Sequence, residues 1–134
     1  MNIIFRTDAS LQIGTGHVVR CLTLADTLRT TGAHCYFVCR EHEGNLIAQI
    51  QQRNFLVSVL PVDTNGCIFD DAVNEKSSSH EAWLGVTWVE DVAQTKSVIN
   101  GNEIDWIIID HYALDVRWEK ELRPLCKKLM IIDD

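Results

Sequence analysis

Residues 2–28 read NIIFRTDASLQIGTGHVVRCLTLADTL, and the way this stretch divides decides the fold. Asn2-Ile-Ile-Phe-Arg6 is a short apolar run bounded by turn formers, the pattern of a buried strand. Residues 7–16 (TDASLQIGTG) are rich in Thr, Ser, Asp and Gly and predict a long loop. From residue 17 to 28 the apolar positions Val18, Cys21, Leu22, Ala25 and Leu28 recur at spacings of three and four, so one face of a helix is apolar. Thr31-Gly32 closes that helix with the glycine that helix ends favour. The unit is a strand, a loop and a helix, the first half of a βαβ crossover.

The same rhythm continues outward. Residues 34–39 (HCYFVC) predict a second strand, 46–52 a helix, and 56–60 (LVSVL), ending at Pro61, a third strand. Residues 63–80 carry Asn-Gly, a Ser triplet and several acids without a period, and read as loop. Helical spacing returns over 89–99, a compact apolar strand over 106–109, an amphipathic helix over 116–126 and a last strand over 129–132. Alternating strands and helices imply an α/β domain with a parallel sheet, helices on both faces and right-handed crossovers. The chain stops at Asp133-Asp134, at the carboxyl end of the last strand and with no helix to cover it. The expectation is one domain, residues 1–134, cut from a longer protein.

Composition narrows the function. At 134 residues and 46% apolar content the chain builds a single core, and no apolar run nears the ~18 residues that span a bilayer. No leader pattern opens it, so a soluble cytoplasmic protein is expected, with no membrane partner. The net charge of -7 is uneven: residues 1–60 hold five Arg against four acids, and residues 61–134 hold seven basic against fifteen acidic residues. An acidic chain without a Lys/Arg cluster argues against nucleic acid, whose non-specific affinity comes from phosphate neutralisation. The five cysteines, at 21, 35, 39, 67 and 126, make no C-x-x-C pair and suggest neither a disulfide framework nor a zinc site. Cys35 and Cys39 share one strand face too far apart to bond, and read as core.

In open parallel sheets ligands bind beyond the carboxyl ends of the strands, where strand order reverses. If the order is 3-2-1-4-5, the loops after strands one and four flank one crevice, and Asp8, His17, Asp110, His111 and Tyr112 converge there. Gly14-Thr-Gly16-His17 resembles a phosphate-cradling turn at a helix amino terminus, yet it lacks the third glycine of a dinucleotide fingerprint and the Gly-Lys-Ser/Thr of a P-loop. His17 sits where the helix dipole favours the neutral imidazole, which suits a general base; it reads equally well as a helix cap packed beside Cys21. Asp110 and Asp8 are candidates to orient His17 or to fix substrate hydroxyls. Arg6 and Arg20 are candidates to hold a phosphate or carboxylate, or are simply a strand-end residue and a solvated helix position. Asp115 is expected to cap the following helix, and Trp83, Trp88, Trp106 and Trp118 to be packing residues rather than a sugar-stacking platform.

Arg6-Thr-Asp-Ala-Ser10, Ile13-Gly-Thr-Gly-His17 and Arg20-Cys-Leu-Thr-Leu-Ala25 closely resemble the opening of the UDP-2,4-diacetamido-2,4,6-trideoxy-beta-L-altropyranose hydrolases of pseudaminic acid biosynthesis. Asp110-His111-Tyr112, Trp118-Glu119 and Ile131-Ile-Asp-Asp134 extend the resemblance over nearly the whole chain except residues 63–80, and relatives annotated for spore-coat polysaccharide synthesis share the pattern. The resemblance implies the amino-terminal half of a two-domain glycosyltransferase-like (GT-B) fold. This half faces the sugar, and a carboxyl-terminal domain, absent here, grips UDP. It further implies that His17 activates the water that attacks the anomeric carbon with inversion and that Tyr112 lines the site; UDP being a good leaving group, one positioned base and a tight diphosphate site suffice, and no metal or cofactor is expected. Gly14, Gly16, Asp8, Arg6 and His111 are the accompanying substrate-binding candidates, with Asp110 beside His17. Two other readings stay open: a glycosyltransferase of the same architecture, and a non-catalytic sugar-binding module in which His17 is only a cap.

Overall fold

A computed structural model describes residues 1–62 and 83–132. The loop expected over 63–80, Cys67 and Asp133-Asp134 lie outside the described residues. Strands β1 (Asn2–Thr7), β2 (His34–Arg40), β3 (Leu56–Leu60), β4 (Ile104–Asp110) and β5 (Cys126–Ile131) form one parallel sheet of order β3-β2-β1-β4-β5. Helices α1 (Gly16–Thr30) and α2 (Ile47–Gln52) pack on one face, α3 (Trp88–Ile99) and α4 (Val116–Leu122) on the other. The domain is a Rossmann-like α/β fold, and its strand order is the one assumed above in placing the crevice.

Each sheet face has its own core. Alternate residues of β1 point to opposite faces, so Ile3 and Phe5 join Val18, Cys21, Leu22 and Ala25 of α1. Ile4 joins Val92 and Ile99 of α3 and Trp118 and Leu122 of α4. β4 contributes to both through Ile107, Ile108 and Ile109, a β-branched run buried on both sides as parallel sheets require. Cys35 and Cys39 are core residues of the α1 face.

Local chemistry sets the element ends. Thr87 caps α3 by accepting the Glu90 amide at 3.1 Å, and Asp115 caps α4 by accepting the Arg117 amide at 2.9 Å. The helix expected over 116–126 is shorter. It ends at Leu122, a 3-10 turn spans Arg123–Leu125, and Cys126 already belongs to β5. Pro124 is the cause: it has no amide to donate to the carbonyl four residues back, so the α-helical hydrogen-bond ladder cannot continue through it. Among the described residues, no helix is long and apolar enough to cross a membrane.

The topology positions the site. β1 and β4 are neighbours, with Thr7 opposite Asp110, and their crossovers leave in opposite directions. Their carboxyl ends therefore open a crevice over which α1 begins.

Candidate functional site

His17 is the second residue of α1, and its side chain is 8% exposed. Its Nδ1 lies 2.5 Å from Oδ1 of Asp110, the last residue of β4, whose side chain is wholly buried. Arg20, one turn along α1, forks onto the same carboxylate, with Nε 2.5 Å from Oδ2 and Nη2 2.7 Å from Oδ1. Arg20 Nη2 also stands 3.3 Å from His17 Nδ1, and that nitrogen cannot both donate to the carboxylate and accept from the guanidinium. The shorter, charge-assisted bond decides: the proton sits on Nδ1 and points at Asp110. Nε2 then carries the lone pair, and no protein group among the described residues bonds it. Tyr112, 43% exposed, stands edge-on to the imidazole with ring centroids 4.6 Å apart.

Asp8, just past β1, is buried beneath the same crevice. Oδ1 accepts from Arg6 Nη1 at 2.8 Å and from the Arg40 amide at 2.7 Å. Oδ2 lies 2.8 Å from His111 Nε2 and 3.4 Å from His42 Nε2. His111 Nδ1 accepts the Ala113 amide at 3.1 Å, so its proton is on Nε2 and the ring donates to Asp8 as a neutral imidazole. Burial lowers the His111 pKa from 6.5 against the opposing pull of Asp8. Burial works the other way on Asp8, but the Arg6 charge and the imidazole bonds overcome it and hold the carboxyl well below 3.8.

A second buried carboxylate completes the floor. Asp91 of α3 accepts from Arg6 Nε at 3.1 Å and Nη2 at 2.5 Å, from Arg40 Nη2 at 2.7 Å and from the Trp118 indole at 2.8 Å. Arg40 also reaches Gln94 at 2.7 Å and the Pro61 carbonyl at 2.5 Å. Two arginines and two aspartates, all with fully buried side chains, thus tie β1, β2, α3 and α4 together with their charges balanced. Burial opposes charge on Arg6, but Asp8 and Asp91 more than offset it and raise its pKa.

Of the residues singled out from the sequence, His17, Asp110 and Tyr112 come together directly. Asp8 and His111 form a neighbouring pair in which Asp8 orients His111, not His17. Arg6, a candidate ligand for an anion, is wholly buried and taken up by two carboxylates, so it acts from beneath the crevice. Gly14 adopts φ 85°, which favours glycine, and donates to the Ser10 carbonyl at 2.8 Å; the Ser10 hydroxyl accepts the Ile13 amide at 2.9 Å. Gly16 opens α1 with nothing within 4 Å of where a Cβ would stand, and no side chain caps that helix. Cys21, 3.7 Å from Asp110, has its thiol pushed up to about 12 by burial and by that carboxylate, which removes it as a nucleophile near neutral pH.

Sequence reasoning missed Arg40, His42 and Asp91, and left Arg20 open between ligand and solvated residue. The Arg6–Asp91 contact spans 85 residues, and Glu90-Asp91 in a first turn carries the signal of a helix start, not of a buried ion pair. Two clefts of about 330 and 350 Å³ lie at the other end of the sheet, around Asn2 and Ile104 and around His34 and Phe55, away from these groups. Among the described residues, no cluster of His, Cys, Asp and Glu is arranged to hold a metal ion.

No protein-family model matches the chain. Over all 134 residues it is 26% identical to Uncharacterized protein MJ1062 of Methanocaldococcus jannaschii, and it spans 22% of that protein's length.

Proposed function

We propose that this domain is the sugar-facing half of a cytoplasmic nucleotide-sugar hydrolase of the glycosyltransferase-like (GT-B) two-domain class, acting on a UDP-linked 2,4-diacetamido-2,4,6-trideoxy sugar. The observation that carries the reading is the His17–Asp110 pair: a nearly buried imidazole with Nδ1 committed to a carboxylate and Nε2 left for a ligand. That arrangement supports a general base. Asp110 keeps the imidazole in the basic tautomer and stabilises the charge it acquires, and Arg20 and the end of β4 hold Asp110 in turn.

The reaction balances without a metal. Nε2 of His17 takes a proton from water as the oxygen bonds to the anomeric carbon from the face opposite the leaving group. The bond from that carbon to the phosphate oxygen breaks, its electron pair leaves on UDP, and the sugar is released with inverted configuration. UDP is a good leaving group, so one positioned base and a firm hold on the diphosphate suffice. The diphosphate hold belongs, in this reading, to a second domain. The balanced charges of the crevice floor support that division, because they leave no surplus cation for a diphosphate.

The test is UDP release from the UDP-linked diacetamido sugar by this chain and by the chain extended with a nucleotide-binding second domain. Turnover by the extended protein, reduced about 10²–10⁴-fold in His17→Ala, is the expected result. Full turnover in His17→Ala would refute the base assignment. UDP release that requires an added acceptor sugar would replace hydrolysis by transfer.

A further inference from the structure

The backbone pairing of β1 with β4 ends at Thr7 and Asp110, so Asp8 and His111 are the first residues beyond the ladder on the two strands. Their side chains carry the connection one step further. His111 Nε2 donates to Asp8 Oδ2 at 2.8 Å, and the two side chains are 2% and 0% exposed. The other end of the ring is committed as well. Nδ1 accepts the Ala113 amide at 3.1 Å, and the His111 carbonyl accepts the Leu114 amide at 3.3 Å.

We infer that His111 is a positioning residue rather than a substrate ligand: its two ring nitrogens clamp the turn that carries Asp110 and Tyr112 onto Asp8, and so hold two neighbours of His17 in place. The effect on catalysis rests on the reading of His17 as the base.

The first support is where the turn delivers its side chains. Asp110 and Tyr112 flank His111 in the chain, and both meet His17, one at 2.5 Å from Nδ1 and the other edge-on with ring centroids 4.6 Å apart. A shift of the His111 backbone therefore moves both. The second is the firmness of the anchor. Asp8 also accepts from Arg6 Nη1 at 2.8 Å and from the Arg40 amide at 2.7 Å. Burial raises its carboxyl pKa, but the Arg6 charge and the imidazole bonds outweigh that and keep it ionised well below 3.8. The third is the ring itself, which has one tautomer that satisfies both bonds. A carboxylate only accepts and an amide N–H only donates, so the proton is on Nε2 and Nδ1 is bare. The other tautomer sets N–H against N–H at Ala113 and a lone pair against Asp8. Burial, which lowers the His111 pKa from 6.5, keeps off the second proton that would break the Ala113 bond.

The experiment compares His111→Asn, His111→Gln and His111→Phe. The Asn side-chain oxygen stands near the Nδ1 position and accepts the Ala113 amide, but nothing reaches Asp8. The Gln side-chain nitrogen reaches Asp8 and leaves the Ala113 amide unmet. Phe keeps the ring and loses both bonds. In this chain, labelled with nitrogen-15 histidine and assigned by single-histidine variants, wild-type His111 should carry its proton on Nε2 at pH 7, the opposite tautomer from His17. A His111 ring protonated on Nδ1 overturns the clamp. Each variant, where far-ultraviolet circular dichroism shows it folded, should shift the His17 ring resonances. In the extended protein kcat should fall about tenfold to a hundredfold with KM close to wild type, the cost of a small misplacement of the reacting groups. Unchanged His17 resonances and unchanged kcat in the folded variants would overturn the positioning role. A raised KM at constant kcat would overturn it too, and would return His111 to the substrate ligands. If the Phe variant does not fold, Asn and Gln, which keep one bond each, decide the matter. Unimpaired turnover in the extended His17→Ala protein would sink the base and with it the effect on kcat, while the His111 tautomer and the His17 resonance shifts would still decide the clamp.

Discussion

Replacing Asp91 by asparagine removes one negative charge from beneath two buried guanidinium groups while keeping the side-chain shape. Asp91 accepts four bonds under 3.2 Å from Arg6, Arg40 and Trp118, and no part of it is exposed. An amide retains one acceptor oxygen but aims N–H donors at a guanidinium, leaving Arg40 without a carboxylate and Arg6 with Asp8 alone. Breaking a buried pair by removing one partner costs about 3–5 kcal/mol. The pKa gives an independent figure. Burial raises the Asp91 carboxyl, but the charges and bonds of Arg6 and Arg40 outweigh it and lower the value from 3.8 to about 2. That difference corresponds to about 2 kcal/mol. Because the folded value is depressed, this stability is present above the unfolded value near 4 and is lost as pH falls through the folded value near 2. Urea unfolding followed by far-ultraviolet circular dichroism across this range measures both figures. The expected outcome is an Asp91→Asn protein about 2–5 kcal/mol less stable at pH 7, with a shallower loss of stability between pH 4 and 2. That is a large share of the roughly 5–15 kcal/mol of a whole domain. A variant within about 0.5 kcal/mol of wild type, or one with an unchanged acid limb, would refute the claim that Asp91 anchors the floor.

Two other perturbations address the site more directly. Asp110→Asn, in the extended protein, should lower kcat about 10²–10⁴-fold. In the isolated domain it should move the nitrogen-15 resonances of the His17 ring away from the Nδ1–H pattern, and unchanged ring resonances would count against Asp110 as the orienting group. Gly85→Ala forces a side chain into φ 85° with its Cβ 2.9 Å from His42 Cε1, and should destabilise the domain by about 1–2 kcal/mol in urea melts. A neutral effect would mean that the turn carrying Trp83 is not held against His42.

Much of the architecture was legible because it is periodic. The alternation of Ile3, Ile4 and Phe5 between faces and the spacing of Val18, Cys21, Leu22 and Ala25 are local signals of period two and period 3.6. They identify a strand and a helix without reference to the rest of the chain. The end of α4 was misjudged because amphipathic spacing continued to Cys126 while Pro124 ended the ladder, a case of backbone chemistry overriding pattern. At the site, the convergence of His17 with Asp110 and Tyr112 followed from the switch-point rule once the strand order was assumed.

What the sequence by itself determined is therefore the set of elements, their order, and the pair of loops that meet. The tertiary structure alone decided which charges neutralise one another. Asp8 serves His111 rather than His17, Asp110 is shared by His17 and Arg20, and Arg6 is spent on Asp8 and on an aspartate 85 residues away. Ion pairing acts over a few ångströms and depends on burial, and neither quantity leaves a period in the sequence.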